Sequence, residues 1–252
     1  MLYLLKRHPL PIAAHFEHVL VLTYAFPRNL LVPLLPPGLE LDTFGDYAFL
    51  AVATVQTRDL RPAFLPKAFG RGFFLTGYRL FTRLKLANGQ VLRGLRILRS
   101  DTDSAWMVKW GNRLTRYGYC KAEVQCRKQN GLLHLEVKTP DAEADLELTA
   151  NISNLPGPLP QGSPFPNVEA ARRFAGPLPH TFDYEPESHS MIVVRGRRSH
   201  WNPQPLEVQV HRNSFIQSPP FGGGNPLLAN AFYLEDVPYS WERGWREQLP
   251  RQ

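Results

Sequence analysis

Cysteine is almost missing: the 252 residues contain two, Cys120 and Cys126. They fall six apart in one strand-like run, roughly 20 Å along an extended chain, which is too far for a disulfide. The fold must therefore rest on a packed core, and the thiols fit a reducing compartment. Long apolar runs are also missing. Lys6, Arg7 and two prolines interrupt the opening MLYLLKRHPLPIAAHF, so it reads neither as a bilayer span nor as a secretory leader. The expectation is a soluble, cytoplasmic protein with no membrane partner.

Several chemical signatures are lacking as well. No strand, glycine-rich turn and helix follow one another, which excludes a dinucleotide or P-loop fold. Gly222-Gly223-Gly224 reads as a flexible turn. No Gly-x-Ser-x-Gly elbow is present, so a hydrolase triad has no support. Among eight histidines only His15 and His18 are close, on a segment that reads as extended, with no third ligand nearby. No metal site and no cofactor are expected.

Negative charge is in deficit, with 22 Asp and Glu against 29 Lys and Arg, a net +7. Such a balance attracts nucleic acid, anionic membranes or acidic metabolites. The basic residues are scattered and form no tail, so no nucleic-acid partner is expected. The expected partner is a small organic anion, and self-association as a homo-oligomer stays open.

Proline, by contrast, is abundant, with 24 residues. It is excluded from helix interiors and central strands and so marks many loops and edges. Alternating apolar runs predict strands at residues 18–26, 117–127, 132–138, 144–152, 191–196, 206–210 and 229–237. A hairpin is predicted from 39–44 and 47–56 around Gly45-Asp46. Short helices are predicted at 27–35, 105–114 and 167–174, a loop at 58–72, and a proline- and glycine-rich connection at 154–166. The tail after Trp245 is expected to fray. No composition break divides the chain, so residues 1–252 read as one domain, mainly antiparallel β or α+β, with a few short helices.

The sharpest local signal is Asn88-Gly89, a favoured pair for a two-residue hairpin turn. That turn would set Leu86 against Val91, Thr82 against Leu95 and Leu80 against Ile97 as an apolar face. The other face would carry Arg79, Phe81, Arg83, Lys85, Gly94 and Arg96. Guanidinium groups grip carboxylates with a two-pronged fork, so Arg79 and Arg96 are candidate anion-binding residues.

The run YGYCKAEV places Lys121 in a strand. By alternation Tyr117, Tyr119, Lys121 and Glu123 share one face. Two readings fit: a reactive amine in a cavity, or a charge beside Glu123 on a solvated sheet face.

Several ordered motifs resemble the bacterial domain-of-unknown-function 2071 family. They are FPRNLLVPLLPPGLELDTFGDYAFLAVA, YRLFTRL with Arg79, YGYCKA with Tyr119 and Ala122, FAGPLPHTFDYE, and ANAFYLEDVPYSW. The resemblance spans roughly residues 15–245. It implies the acetoacetate decarboxylase-like fold, an α+β architecture centred on a β-barrel with an internal cavity. Acetoacetate decarboxylases carry Gly-aromatic-Pro-Lys-Lys, whose first lysine forms a Schiff base that the second activates. Here Lys121 falls on the nucleophile, Ala122 replaces the activating lysine, and Cys120 replaces the proline. A free lysine, with pKa about 10.4, has under roughly a thousandth of its amine neutral at pH 7, so activation would fall to burial or to Arg79 or Arg96. The resemblance thus implies a Schiff-base lyase or decarboxylase acting on a keto acid, with Lys121 catalytic and Arg79, Arg96 and Tyr119 binding substrate. The alternative is a non-catalytic small-molecule-binding protein of the same fold.

Overall fold

The computed structural model describes residues 2–176 and 178–250. Its strands are β1 (Ile12–Pro27), β2 (Leu39–Leu41), β3 (Thr43–Phe44), β4 (Tyr47–Pro62), β5 (Arg71–Lys85), β6 (Val91–Thr102), β7 (Tyr119–Lys121) and β8 (Glu123–Gln129). There follow β9 (Leu132–Lys138), β10 (Leu146–Asn151), β11 (His180–Glu185), β12 (Ser190–Arg198), β13 (Gln204–Pro205), β14 (Val208–Asn213), β15 (Leu227–Trp241) and β16 (Trp245–Gln248). The helices are short: α1 (Arg28–Leu31), α2 (Ala105–Leu114), α3 (Val168–Ala175) and α4 (Ser214–Gln217). The expected α+β class, strand-rich with few helices, is what the chain adopts.

A large sheet runs β13-β15-β1-β4-β5-β6-β11-β12-β16, and β12 pairs again with β15 through Gly196–Trp241, Arg197–Ser240 and Arg198–Tyr239. The sheet therefore curls back on itself in a barrel-like way. A second sheet, β14-β10-β9-β8, covers one of its faces. Long strands rich in branched and aromatic residues suit this double burial. On β1 and β4, Leu20, Leu22, Leu50 and Val52 pack against Leu133, Leu135, Leu146 and Leu148 of the second sheet. The alternate residues Val19, Val21, Ala51 and Ala53 point the other way, into the curl.

Several sequence expectations change. The hairpin expected from 39–44 and 47–56 holds only for β3 with β4, because β2 pairs with β5 instead. The loop expected at 58–72 is shorter, because β4 runs to Pro62 and β5 starts at Arg71. The Asn88-Gly89 hairpin is real, but its turn is one residue longer. Leu86 N donates to Gln90 O at 2.8 Å, and Gly89 takes a φ of +85°. Lys85 then faces Val91, Thr82 faces Gly94 and Leu80 faces Arg96. A one-residue slip swaps every cross-strand partner, and here it sends Arg79 and Arg96 to opposite faces. The strand expected over 117–127 breaks at Ala122, where the chain leaves the large sheet as β7 and enters the second as β8. The segment after Trp245 does not fray: β16 pairs with β12 from Val193–Trp245 to Ser190–Gln248. Finally, β11 was not expected and pairs in parallel with β6.

Candidate functional site

Inside the curl lies a cavity of about 230 Å³. It exists because the inward positions of β1 and β4 carry small side chains. Val19 faces Val55, Val21 faces Ala53 and Thr23 faces Ala51 across the pair. Phe81, Leu95 and Ile97 extend the apolar wall.

One strong charge sits in this wall. Arg79 on β5 faces Ile97, and a bulge beside it, between Tyr78 and Arg79, shifts the β5–β6 register. Arg79 is half-buried and lines the cavity. Its Nε has no hydrogen-bond partner. Burial pushes its pKa down, and the groups that favour its charge are Tyr239, Tyr119 and Tyr117, with no carboxylate among them. Arginine nonetheless keeps its proton at neutral pH.

Three tyrosines surround that cation. Tyr119 is held by its backbone: its N donates to Asn112 Oδ1 at 2.8 Å, and Asn112 Nδ2 donates to Tyr119 O at 2.8 Å. Asn112 belongs to α2, whose start is capped by Ser104 accepting from Met107 N. Tyr239 comes from β15, opposite Arg198 of β12. Burial raises all three hydroxyl pKa values, that of Tyr119 to about 12 with Arg79 opposing, so each is a hydrogen-bond donor at neutral pH.

A second guanidinium, Arg198, lines the same cavity, stacked 4.5 Å from the Trp201 ring centre and 5.6 Å from that of Tyr239. Burial lowers its pKa too, with only Tyr239 favouring its charge. The indole Nε1 of Trp201 has no partner either. The cavity thus holds surplus donors and cations within apolar walls.

Glycines make room for these polar groups. A Cβ on Gly77 would stand 2.9 Å from Arg79 Nε. One on Gly111 would collide with the Tyr119 ring, and one on Gly196 with the Tyr239 hydroxyl. Contacts this close exclude any larger residue unless the polar group moves.

The four residues singled out in the sequence do not converge. Arg79 and Tyr119 line the cavity; Arg96 and Lys121 do not. Arg96 faces Leu80 on the other side of the sheet, where Asp183 lies close enough to favour its charge. Lys121 is exposed and its Nζ donates to the Asp103 carbonyl. The alternation that carries Tyr119 inward would carry Lys121 the same way. The strand ends at Lys121, however, and the chain crosses to the second sheet, with Ala122 N bonded to Thr102 O at 2.8 Å. Among the described residues no lysine lines the cavity. Arg198 and Tyr239 were not singled out, since only the pairing of β12 with β15 brings them to the site; Trp201, which reads from the sequence as a packing residue, lines the same cavity. His15 and His18 have different partners: His15 Nε2 contacts Asp236 Oδ1 at 2.7 Å and His18 Nε2 lies 3.7 Å from Cys126 Sγ. No metal-binding group of three occurs among the described residues.

The pattern of the DUF2071 family, described as an uncharacterized conserved protein, matches residues 13–233. The chain belongs to this family. No curated protein matches it. Among solved structures, this DUF2071 chain is similar to acetoacetate decarboxylase from Legionella pneumophila subsp. pneumophila str. Philadelphia 1, with a TM-score of 0.63, 12% identity, and 94% of this chain and 87% of that one covered. It is also similar to the enduracididine biosynthesis enzyme MppR complexed with pyruvate, with a TM-score of 0.62, 14% identity, and 94% and 90% covered. At such identities the likeness shows the fold: it is acetoacetate decarboxylase-like, as the sequence motifs implied.

Proposed function

We propose that this DUF2071 protein binds a small, largely apolar organic carboxylate in the curled-sheet cavity, with Arg79 as the carboxylate anchor. The observation that carries this reading is a guanidinium facing an apolar cavity with no carboxylate to neutralise it. A buried charge without a counter-ion is costly, and a ligand that supplies the missing anion relieves that cost. Tyr119, Tyr117 and Tyr239 add hydroxyl donors, and Arg198 adds a second cation. A structural neighbour, MppR, was solved with pyruvate, itself a small keto acid.

The reading corresponds to a binding protein of this fold rather than a Schiff-base lyase, because the amine of Lys121 is engaged outside the cavity. The test is a thermal-shift panel of keto acids and of straight-chain and aromatic carboxylates, each beside its amide. Acids that stabilise the protein while their amides do not support the reading. Equal shifts from acid and amide, or none at all, refute it.

A further inference from the structure

The cavity reaches the surface at one end, where two of its lining residues, Leu10 and Trp110, are each 40% exposed. Three segments meet at this end: residues 2–11, the β4–β5 connection with its flanks at 58–72, and α2 with its flanks at 103–116. Ala63 N donates to Pro11 O, His8 N donates to Leu114 O, and the Arg71 guanidinium lies 5.3 Å from the Trp106 ring centre. These contacts tie the segments into one rim.

The rim has an unusual make-up. It carries nine Lys and Arg (Lys6, Arg7, Arg58, Arg61, Lys67, Arg71, Lys109, Arg113 and Arg116) against two acids, Asp59 and Asp103. Three of the nine are ion-paired with acids from outside these segments, Arg7 with Glu185, Arg116 with Glu187, and Arg58 with Glu17 and Asp236. Lys6, Arg61, Lys67, Arg71, Lys109 and Arg113 are therefore the rim cations with no ion pair among the described residues. The rim also holds six of the nine exposed large hydrophobic residues found among the described residues: Leu4, Leu5, Leu10, Phe64, Phe69 and Trp110. Phe64 and Phe69 are the most exposed, at 69% and 66%. They stand on either side of the exposed Lys67 at the tip of the connection. Lys109 and Arg113 both lie over the Trp110 ring, at 6.0 and 5.4 Å.

Apolar tips set among cations match a surface that is negative at its face and oily beneath. Aliphatic and phenyl side chains gain by entering the acyl boundary, while lysine and arginine stay with anionic headgroups. No helix among the described residues is long and apolar enough to cross a membrane, so the contact is peripheral. We propose that this rim docks on an anionic phospholipid membrane surface, with Phe64 and Phe69 inserted, so that the cavity mouth opens toward the lipid. The proposal stands apart from the role of Arg79 and is tested without any carboxylate ligand.

The experiment is co-sedimentation of the full chain with phosphatidylcholine vesicles, with and without added phosphatidylserine. Binding is expected only to the anionic vesicles and is expected to weaken steeply as salt rises. Phe64→Ser with Phe69→Ser should lower vesicle affinity by about tenfold or more. Lys109→Glu with Arg113→Glu should do the same and should reduce the salt dependence. Val91→Ser, an exposed apolar residue at the Asn88-Gly89 hairpin, should change nothing. Circular dichroism checks that each variant is folded. Failure of the wild type to bind anionic vesicles at low salt overturns the proposal, as does binding untouched by both double variants. Light scattering that shows a dimer dissolved by the phenylalanine variant, with no vesicle binding, would assign the rim to a second copy instead.

Discussion

Asn112 and Tyr119 exchange two hydrogen bonds, one in each direction and each 2.8 Å long, so a single side chain on α2 clamps the backbone of β7. The clamp fixes the tyrosine ring against Gly111 and toward Arg79. Asn112→Ala leaves the Tyr119 backbone donor and acceptor without partners. A loss of about 1–3 kcal/mol in urea unfolding is expected. Carboxylate affinity should fall as well, although Asn112 itself is absent from the cavity lining. Unchanged affinity in a folded variant would show that Tyr119 needs no clamp.

Arg79 costs stability in the unliganded protein if its charge is uncompensated. Arg79→Met keeps the aliphatic stem and removes the charge. The unliganded variant should be more stable than wild type by about 1–3 kcal/mol, measured by denaturant unfolding. A clear loss of stability would mean that a partner group or ordered solvent already satisfies the guanidinium.

Asp183 gives the protein a pH dependence of known sign. Burial lifts its carboxyl pKa to about 7 from an ordinary 3.8, with Arg116 and Arg96 opposing. Between those values the folded chain holds a proton that the unfolded chain has released. Stability from this group is therefore full below about pH 3.8, falls as pH rises, and is lost above about pH 7. Asp183→Asn removes the titration. Its advantage over wild type should be small near pH 4 and grow to roughly 2–4 kcal/mol by pH 8. An advantage that shrinks as pH rises would contradict the assignment.

Lys121 offers a direct check on amine chemistry. Its Nζ is exposed and bonded to the Asp103 carbonyl. Borohydride trapping with keto acids should therefore label lysines slowly and without preference, and Lys121→Ala should lower the total no more than the loss of any other exposed lysine. A stoichiometric adduct confined to Lys121 would restore the Schiff-base reading.

The strands and helices were legible where periodicity was strong. The helix expected at 105–114 and the strand expected at 132–138 match α2 and β9 residue for residue. The hairpin around Asn88-Gly89 was visible, but its register was not. Both a two-residue and a three-residue turn put Gly89 at positive φ; they differ at Asn88, which a type I′ turn would also hold at positive φ and which is not so held here, and that difference decides which face Arg96 joins. Half of the site was legible for a related reason. Arg79, Tyr119 and Tyr239 all stand within motifs that resemble the family, but only the long-range pairing of β12 with β15 brings Tyr239 together with Arg198. Alternation alone left Lys121 open between cavity and solvent, because it holds only while a strand continues, and this one ends there.

The central claim is that Arg79 anchors an organic carboxylate, and the most direct measurement is isothermal titration of wild type and Arg79→Met with the tightest acid from the panel. The account predicts saturable binding to wild type and a loss of about tenfold to a hundredfold or more in the variant, as expected when a charged hydrogen-bonding partner is removed. Equal affinity for the two proteins, both folded, would place the carboxylate away from Arg79 and contradict the account.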